Sequence, residues 1–136
     1  MPETVYETRE MLAEMNPLLG EDEFVFCATS DPALAARAQS SALGWFKEEG
    51  EMSLILERRA ARALGFSADL PMRRIALMVN SALDGVGLTA AVSSALAAAG
   101  IPCNMVAACR HDHVFVPSAV AERALAILAA LQAGAS

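Results

Sequence analysis

Both histidines of the 136-residue chain fall in one short run, Cys109-Arg110-His111-Asp112-His113. A His-x-His pair on a strand turns both rings to one face, and a thiolate from Cys109 or Cys103 can add sulfur to such a zinc site. No fourth ligand stands at a fixed spacing, so His111 and His113 are metal candidates without a complete ligand set. The plain alternative is two histidines and an Asx-type turn in a hairpin. Cys109 beside two histidines also suggests a thiol nucleophile, but no oxyanion donor accompanies it. Ser53, Ser93 and Ser94 lack the GxSxG setting of a hydrolase nucleophile. Glu48, Glu49 and Glu51 flank a turn and read as solvated, which leaves no carboxylate pair for acid–base work. These residues predict a protein that is not an enzyme and uses no cofactor. A metal- or thiol-dependent enzyme at residues 109–113 is the third of three readings.

The second feature is a glycine loop, Asp84-Gly85-Val86-Gly87-Leu88-Thr89-Ala90, which formally satisfies the relaxed dinucleotide pattern GxGxxA. That mechanism needs the first glycine directly after a strand, and a parallel strand beyond the helix. Here Ser81 to Asp84 intervene, and the next strand turns back antiparallel through His111-Asp112-His113, so a dinucleotide fold is excluded. A glycine loop opening a helix still offers free N–H groups and the positive end of the helix dipole, which suit a carboxylate. The competing reading is that the glycines only make the turn.

The elements that must position this loop follow from periodicity. Thr4 and Glu7 form a capping box for a short amphipathic helix carrying Met11, Leu12 and Met15, stopped by Asn16-Pro17. Residues 23–30 alternate as a strand. Asp31-Pro32 starts a helix or an ordered loop up to Ala42. Residues 43–47 and 52–56 read as a hairpin through Glu49-Gly50, and residues 57–64 as a helix closed by Gly65. Residues 74–80 form an apolar strand, and Leu88, Val92 and Leu96 mark a helix ending at Gly100. Residues 101–109 and 113–117 are strands joined by a turn at 110–112. Ser118 caps a last helix with Val120, Ala124, Ile127, Leu128 and Leu131 on one face.

The second half thus reads β-α-β-β-α, the ferredoxin-like split order without its last strand. Six strands are available where two four-stranded modules need eight, so a strand is shared, swapped or supplied by a partner chain. The expectation is that residues 23–30 fill the empty place beside the C-terminal module. The domain plan is an N-terminal acidic helix at 1–20, a first module at 21–70 and a second at 71–136, all in an α+β fold.

Charge sharpens this plan. Seven of the 16 acids and one of the 10 Lys/Arg residues lie in the first 23 positions, so that arm carries the entire net charge of −6. The remainder is balanced and offers no basic stripe, so neither nucleic acid nor an anionic membrane is an expected partner. Alanine makes up about a fifth of the chain and aromatics 5%, a composition for close helix–sheet packing with small side chains. No apolar run free of charges reaches the roughly 18–20 residues of a membrane span. The N-terminus lacks the basic-then-apolar order of a signal peptide. Three cysteines without CxxC spacing read as reduced, buried thiols of a cytoplasmic protein. Trp45 and Phe46 read as core or interface.

Residues 87–101, from Gly87-Leu88-Thr89-Ala90 to Gly100-Ile101, followed by Cys103-Asn104-Met105-Val106, resemble the strand–loop–helix–strand signature of ACT domains. Together with His111-Asp112-His113-Val114-Phe115-Val116-Pro117, Val25-Phe26-Cys27 and Glu49-Gly50, the chain is similar to small bacterial proteins built of two ACT-like modules. The resemblance extends from about Met11 to Leu131. It implies two ferredoxin-like modules, a non-catalytic regulatory role, a small-metabolite ligand of the amino-acid class, and a homodimer. The implied ligand-binding residues are Ser81, Asp84, Gly85, Val86, Gly87, Leu88 and Thr89 of the loop, with Cys103, Asn104 and Met105 of the second strand. Val86-Gly87 stands where the family's loop carries Pro-Gly, and Pro102 where aspartokinase-type modules carry Asn. A protein-interaction module without a ligand is the second reading.

Overall fold

The computed structural model describes residues 7–135. The first half of the chain runs α1 (Thr8–Ala13), β1 (Pro17–Thr29), α2 (Pro32–Gln39), β2 (Gly44–Glu48), β3 (Glu51–Glu57) and α3 (Arg58–Ala63). The second runs β4 (Met72–Leu77), α4 (Leu88–Ala98), β5 (Asn104–Ala107), β6 (Asp112–Pro117) and α5 (Ala121–Ala135). The chain divides into two compact units, one of Asp22–Met72 and one of Met1–Glu21 with Arg73–Ser136. Each is a layer of strands covered by helices, so the α+β class holds.

In the unit of Asp22–Met72 the strand order is β2-β3-β1. The hairpin β2–β3 turns at Gly50, whose φ of +78° favours glycine. Register places Val25 opposite Leu56 and Cys27 opposite Leu54 on one face. Val25, Leu54 and Leu56 are buried there with Ala38 of α2 and Ala61 of α3. Alanine at both helix contacts lets the backbones approach closely. The stretch after Asp31 resolves as a helix because the Asp31 carboxylate accepts the Ala33 N–H at 3.0 Å and Pro32 fits the first turn.

In the other unit the strand order is β1-β4-β6-β5, the ferredoxin-like order with β1 in the fourth place. The Met78 N–H donates to the Met15 carbonyl at 2.7 Å, and the Arg73 guanidinium donates to the Gly20 carbonyl at 3.0 Å. Descending numbers against ascending ones make this pairing antiparallel. A single strand does fill the place beside β4, but not with the residues expected at 23–30, because β1 is longer and begins at Pro17. Its early residues serve β4, while residues 24–29 pair with β3. Asn16, at φ +43°, turns the chain out of α1, so Leu18 and Leu19 belong to a strand and not to the helical arm.

The core of this unit gathers Ile75 and Leu77 of β4, Val114 and Val116 of β6, Val92 and Leu96 of α4, and Ala121, Ala124 and Leu128 of α5. Met11 and Met15 close it from the arm. The segment Ser118–Ala135 is long and apolar enough to cross a membrane by length and composition alone. Here its Ala121, Ala124 and Leu128 are buried against strands and helices.

Several local expectations change. The Thr4 end of the capping box lies outside the described residues, and α1 takes Glu7 as N-cap with no side-chain cap bond. β4 ends at Leu77 although the apolar run continues to Asn80. β5 starts only at Asn104, after Pro102, which has no N–H to donate to a ladder. The turn lies at 108–111, with the Ala108 N–H on the His111 carbonyl, so Asp112 opens β6 opposite Ala107 instead of making the turn. Ser118 does not cap α5, because a 3-10 turn at Ser118–Val120 precedes it and the Ser118 hydroxyl is buried without a hydrogen-bond partner. Cys109 is exposed, and Cys27 and Cys103 are half-buried. Phe46 is 73% exposed, so it is no part of the core.

Candidate functional site

The chain leaves β4 and reaches α4 through a loop that the glycines shape. The Gly85 N–H donates to the Ala82 carbonyl at 3.0 Å, closing a tight turn. Gly87 then serves as N-cap of α4 at φ +111°, a conformation that side chains disfavour. A glycine cap brings no side-chain acceptor, and the first turn of α4 holds no acid. The leading N–H groups of this 11-residue helix are therefore left without a side-chain cap.

Beside them lies a cleft of about 160 Å³. Ser81, Gly85, Gly87, Leu88 and Thr89 line it from the loop, Asp112 from β6, and Met11 from α1. The Ser81 hydroxyl donates to the Asp112 carboxylate at 3.3 Å. The volume falls below the roughly 300–1,000 Å³ of drug-sized sites.

Five of the ten sequence-derived site residues thus meet in one cleft. Asp84 and Val86 sit on the loop but face out, Val86 being 80% exposed. Cys103 and Met105 pack against the helix-covered core, and Asn104 is exposed on β5, the edge strand of this unit. None of those three lines the cleft. Asp112 and Met11 are the residues that sequence reasoning missed. Asp112 was within reach, because the split order places the second hairpin turn beside the first loop. Met11 gave no signal, since nothing in its helical spacing says which surface its helix covers.

The unit of Asp22–Met72 has a cleft in the same topological place, between the β1–α2 loop and the β2–β3 turn. It measures about 320 Å³ and is lined by Ser30, Asp31, Ala35, Lys47, Glu48 and Glu51 among others. There the Asp31 carboxylate already occupies the Ala33 N–H. Asp31 thus places a carboxylate at the start of α2, where Gly87 brings no side chain to the start of α4.

His113 stands half-buried at the start of β6, with Nδ1 buried and without a hydrogen-bond partner. Burial, helped by Arg74 and His111, lowers its pKa from the ordinary 6.5, while Asp112 pulls it back up. A folded-state pKa below the unfolded one means that the unfolded chain binds the proton more readily. Stability is therefore complete above about pH 6.5 and falls as acidification proceeds toward the lower folded pKa. Thermal melts between pH 7.5 and 5 should show this decline, and His113→Gln should flatten it. An equally steep decline in the variant would assign it to other groups.

Among the described residues no group of three His, Cys, Asp or Glu side chains is placed to hold a metal ion. Burial raises the pKa of the Cys27 and Cys103 thiols, which keeps them protonated and unreactive at neutral pH.

Comparison with known proteins agrees with this geometry. Two ACT domain profiles match the chain, one over residues 71–130 and one over residues 5–73. Among solved structures, a Vibrio cholerae protein of unknown function is 33% identical with a TM-score of 0.77, over 89% of this chain and 93% of that one. The ligand-free regulatory subunit of aspartate kinase from Thermus thermophilus is 14% identical with a TM-score of 0.63, over 88% of this chain and 97% of that one. An Agrobacterium tumefaciens protein is 19% identical with a TM-score of 0.67, over 85% and 87%. The last two likenesses concern the fold alone. Comparison with curated proteins gives no match. The loop, the split strand order in which it sits and the two profile matches all lead to one assignment: the chain belongs to the ACT domain family.

Proposed function

We propose that this protein is a non-catalytic, cytoplasmic regulatory protein that binds an α-amino acid in the cleft beside Gly85–Thr89. The observation that carries the reading is the uncapped start of α4 opening onto the cleft that holds Asp112. Backbone N–H groups and the helix dipole suit the ligand carboxylate. The Asp112 carboxylate, given one hydrogen bond by Ser81, keeps acceptor capacity for the ammonium group. Opposite charges of a zwitterion would thus meet opposite ends of one small cleft. The neutral body of the protein is consistent with this, because recognition needs no cluster of cationic side chains.

A homodimer fits the same reading. Leu83 and Val86 stand out of the loop at 73% and 80% exposure. Apolar side chains beside a ligand cleft are a natural surface for a second copy to cover.

A thermal-shift screen of the twenty amino acids tests the proposal. A ligand at 100 times its Kd should add about 2.7 kcal/mol. The N-acetylated form of an active amino acid should lose most of the effect, as should Asp112→Asn. No shift with any amino acid overturns the reading. If the protein is nonetheless a stable dimer, the exposed Leu83 and Val86 favour an interaction module without a ligand.

A further inference from the structure

Helix α1 meets the glycine loop, about 78 positions further along the chain. The Thr8 hydroxyl donates to the Val86 carbonyl. A Cβ on Gly87 would overlap that hydroxyl and stand 2.9 Å from Thr8 Cγ2, so the absent side chain of Gly87 is the space Thr8 fills. One turn further on, Met11 is 1% exposed and forms part of the cleft wall.

The far end of the same arm is anchored. Gln132 Nε2 donates to the Ala13 carbonyl and to Asn16 Oδ1, each at 2.9 Å. The Asn16 N–H donates back to Gln132 Oε1 at 3.0 Å, and the Arg9 guanidinium reaches the Ala135 carbonyl at 3.3 Å. Thr8 therefore presents its hydroxyl from a fixed element to a loop that two glycines leave conformationally free. The Val86–Gly87 peptide is trans, so a carbonyl tied to Thr8 also sets the direction of the Gly87 N–H.

We propose that Thr8 is a positioning residue for the glycine loop, holding the Val86–Gly87 peptide in the orientation that opens the start of α4 to the cleft. The acidic arm is then a working wall of the site. Its consequence for binding rests on the amino-acid reading above, but the ordering of the loop can be measured without any ligand.

The test is amide hydrogen exchange on the full, ligand-free chain carrying Thr8→Val, which keeps the shape, or Thr8→Ser, which keeps the hydroxyl. Thr8→Val should speed exchange of residues 82–89 about fivefold, the equivalent of about 1 kcal/mol for one hydrogen bond. Thr8→Ser should stay near wild type, and β6 and α5 should be unchanged in both, which shows that the fold is intact. Unaltered loop exchange in Thr8→Val overturns the proposal, as does an equal rise in both variants. The amino-acid screen supplies the second arm. If an amino acid stabilises the wild type, Thr8→Val should bind it more weakly and Thr8→Ser should not, and equal binding by Thr8→Val overturns the positioning role. If no amino acid stabilises the wild type while loop exchange still rises in Thr8→Val, the positioning role stands and the amino-acid reading falls.

Discussion

Replacing Gly87 with alanine should destabilise the protein by about 2–4 kcal/mol and lower Tm by on the order of 10 °C. Two costs combine. A φ of +111° is strained for any residue with a Cβ, and the new methyl would enter the space of the Thr8 side chain. Because Thr8 must move, its bond to the Val86 carbonyl goes with it. The two costs are separable in a double-mutant cycle. Thr8→Ala removes the hydroxyl and the Cγ2 at 2.9 Å, leaving only Cβ at 3.1 Å. In that background Gly87→Ala should keep the backbone strain and lose most of the clash. Equal costs in both backgrounds would mean that α1 does not pack on the loop as described.

The second large effect lies in α5. Leu128 is fully buried, and its helix touches α1, α4 and β6. Leu128→Ala opens a cavity at the place where these elements converge, at a cost of about 2–5 kcal/mol. Leu131, one turn on, is only partly buried, so Leu131→Ala should cost about 1 kcal/mol. Denaturant titration with unchanged m-values reads both directly. Equal losses at the two positions would contradict the burial that separates them. Since α1 rests on α5 through Gln132, Leu128→Ala should also loosen Thr8, and loop exchange should rise with it.

Much of the architecture was legible without coordinates. Leu88, Val92 and Leu96 recur at helical spacing, and all three are buried on α4. Gly65 and Gly100 close their helices at positive φ, as C-terminal glycines do. The hairpin at Gly50 and the split order of the second module were equally readable, because turn chemistry and period are local properties. The start of β1 was not. Residues 17–22 carry a glycine and two acids, which argue for a solvated connector, yet β4 presents an open edge and pairing decides the matter. Local signals also failed at Ser118, whose cap-like position is preempted by the 3-10 turn.

The site divides along the same line. Glycines between a strand and a helix are a local pattern, so the loop from Asp84 to Thr89 stood out by type and spacing, while Ser81 entered only with the resemblance to ACT domains. The sequence also determined that the body carries as many bases as acids and places no Arg or Lys on the loop itself. Only the tertiary structure decided that Asp112 lines the same cleft as the loop, and that Cys103 and Met105 turn to the core instead. It alone brought Thr8 and Met11 to the loop, across more than 70 positions of chain. Contacts of that separation are set by how helices pack on a sheet, and side-chain period within one helix carries no record of its neighbour. The acidic arm, which carries the net charge of the chain, thus takes its place in the wall of the cleft through Met11.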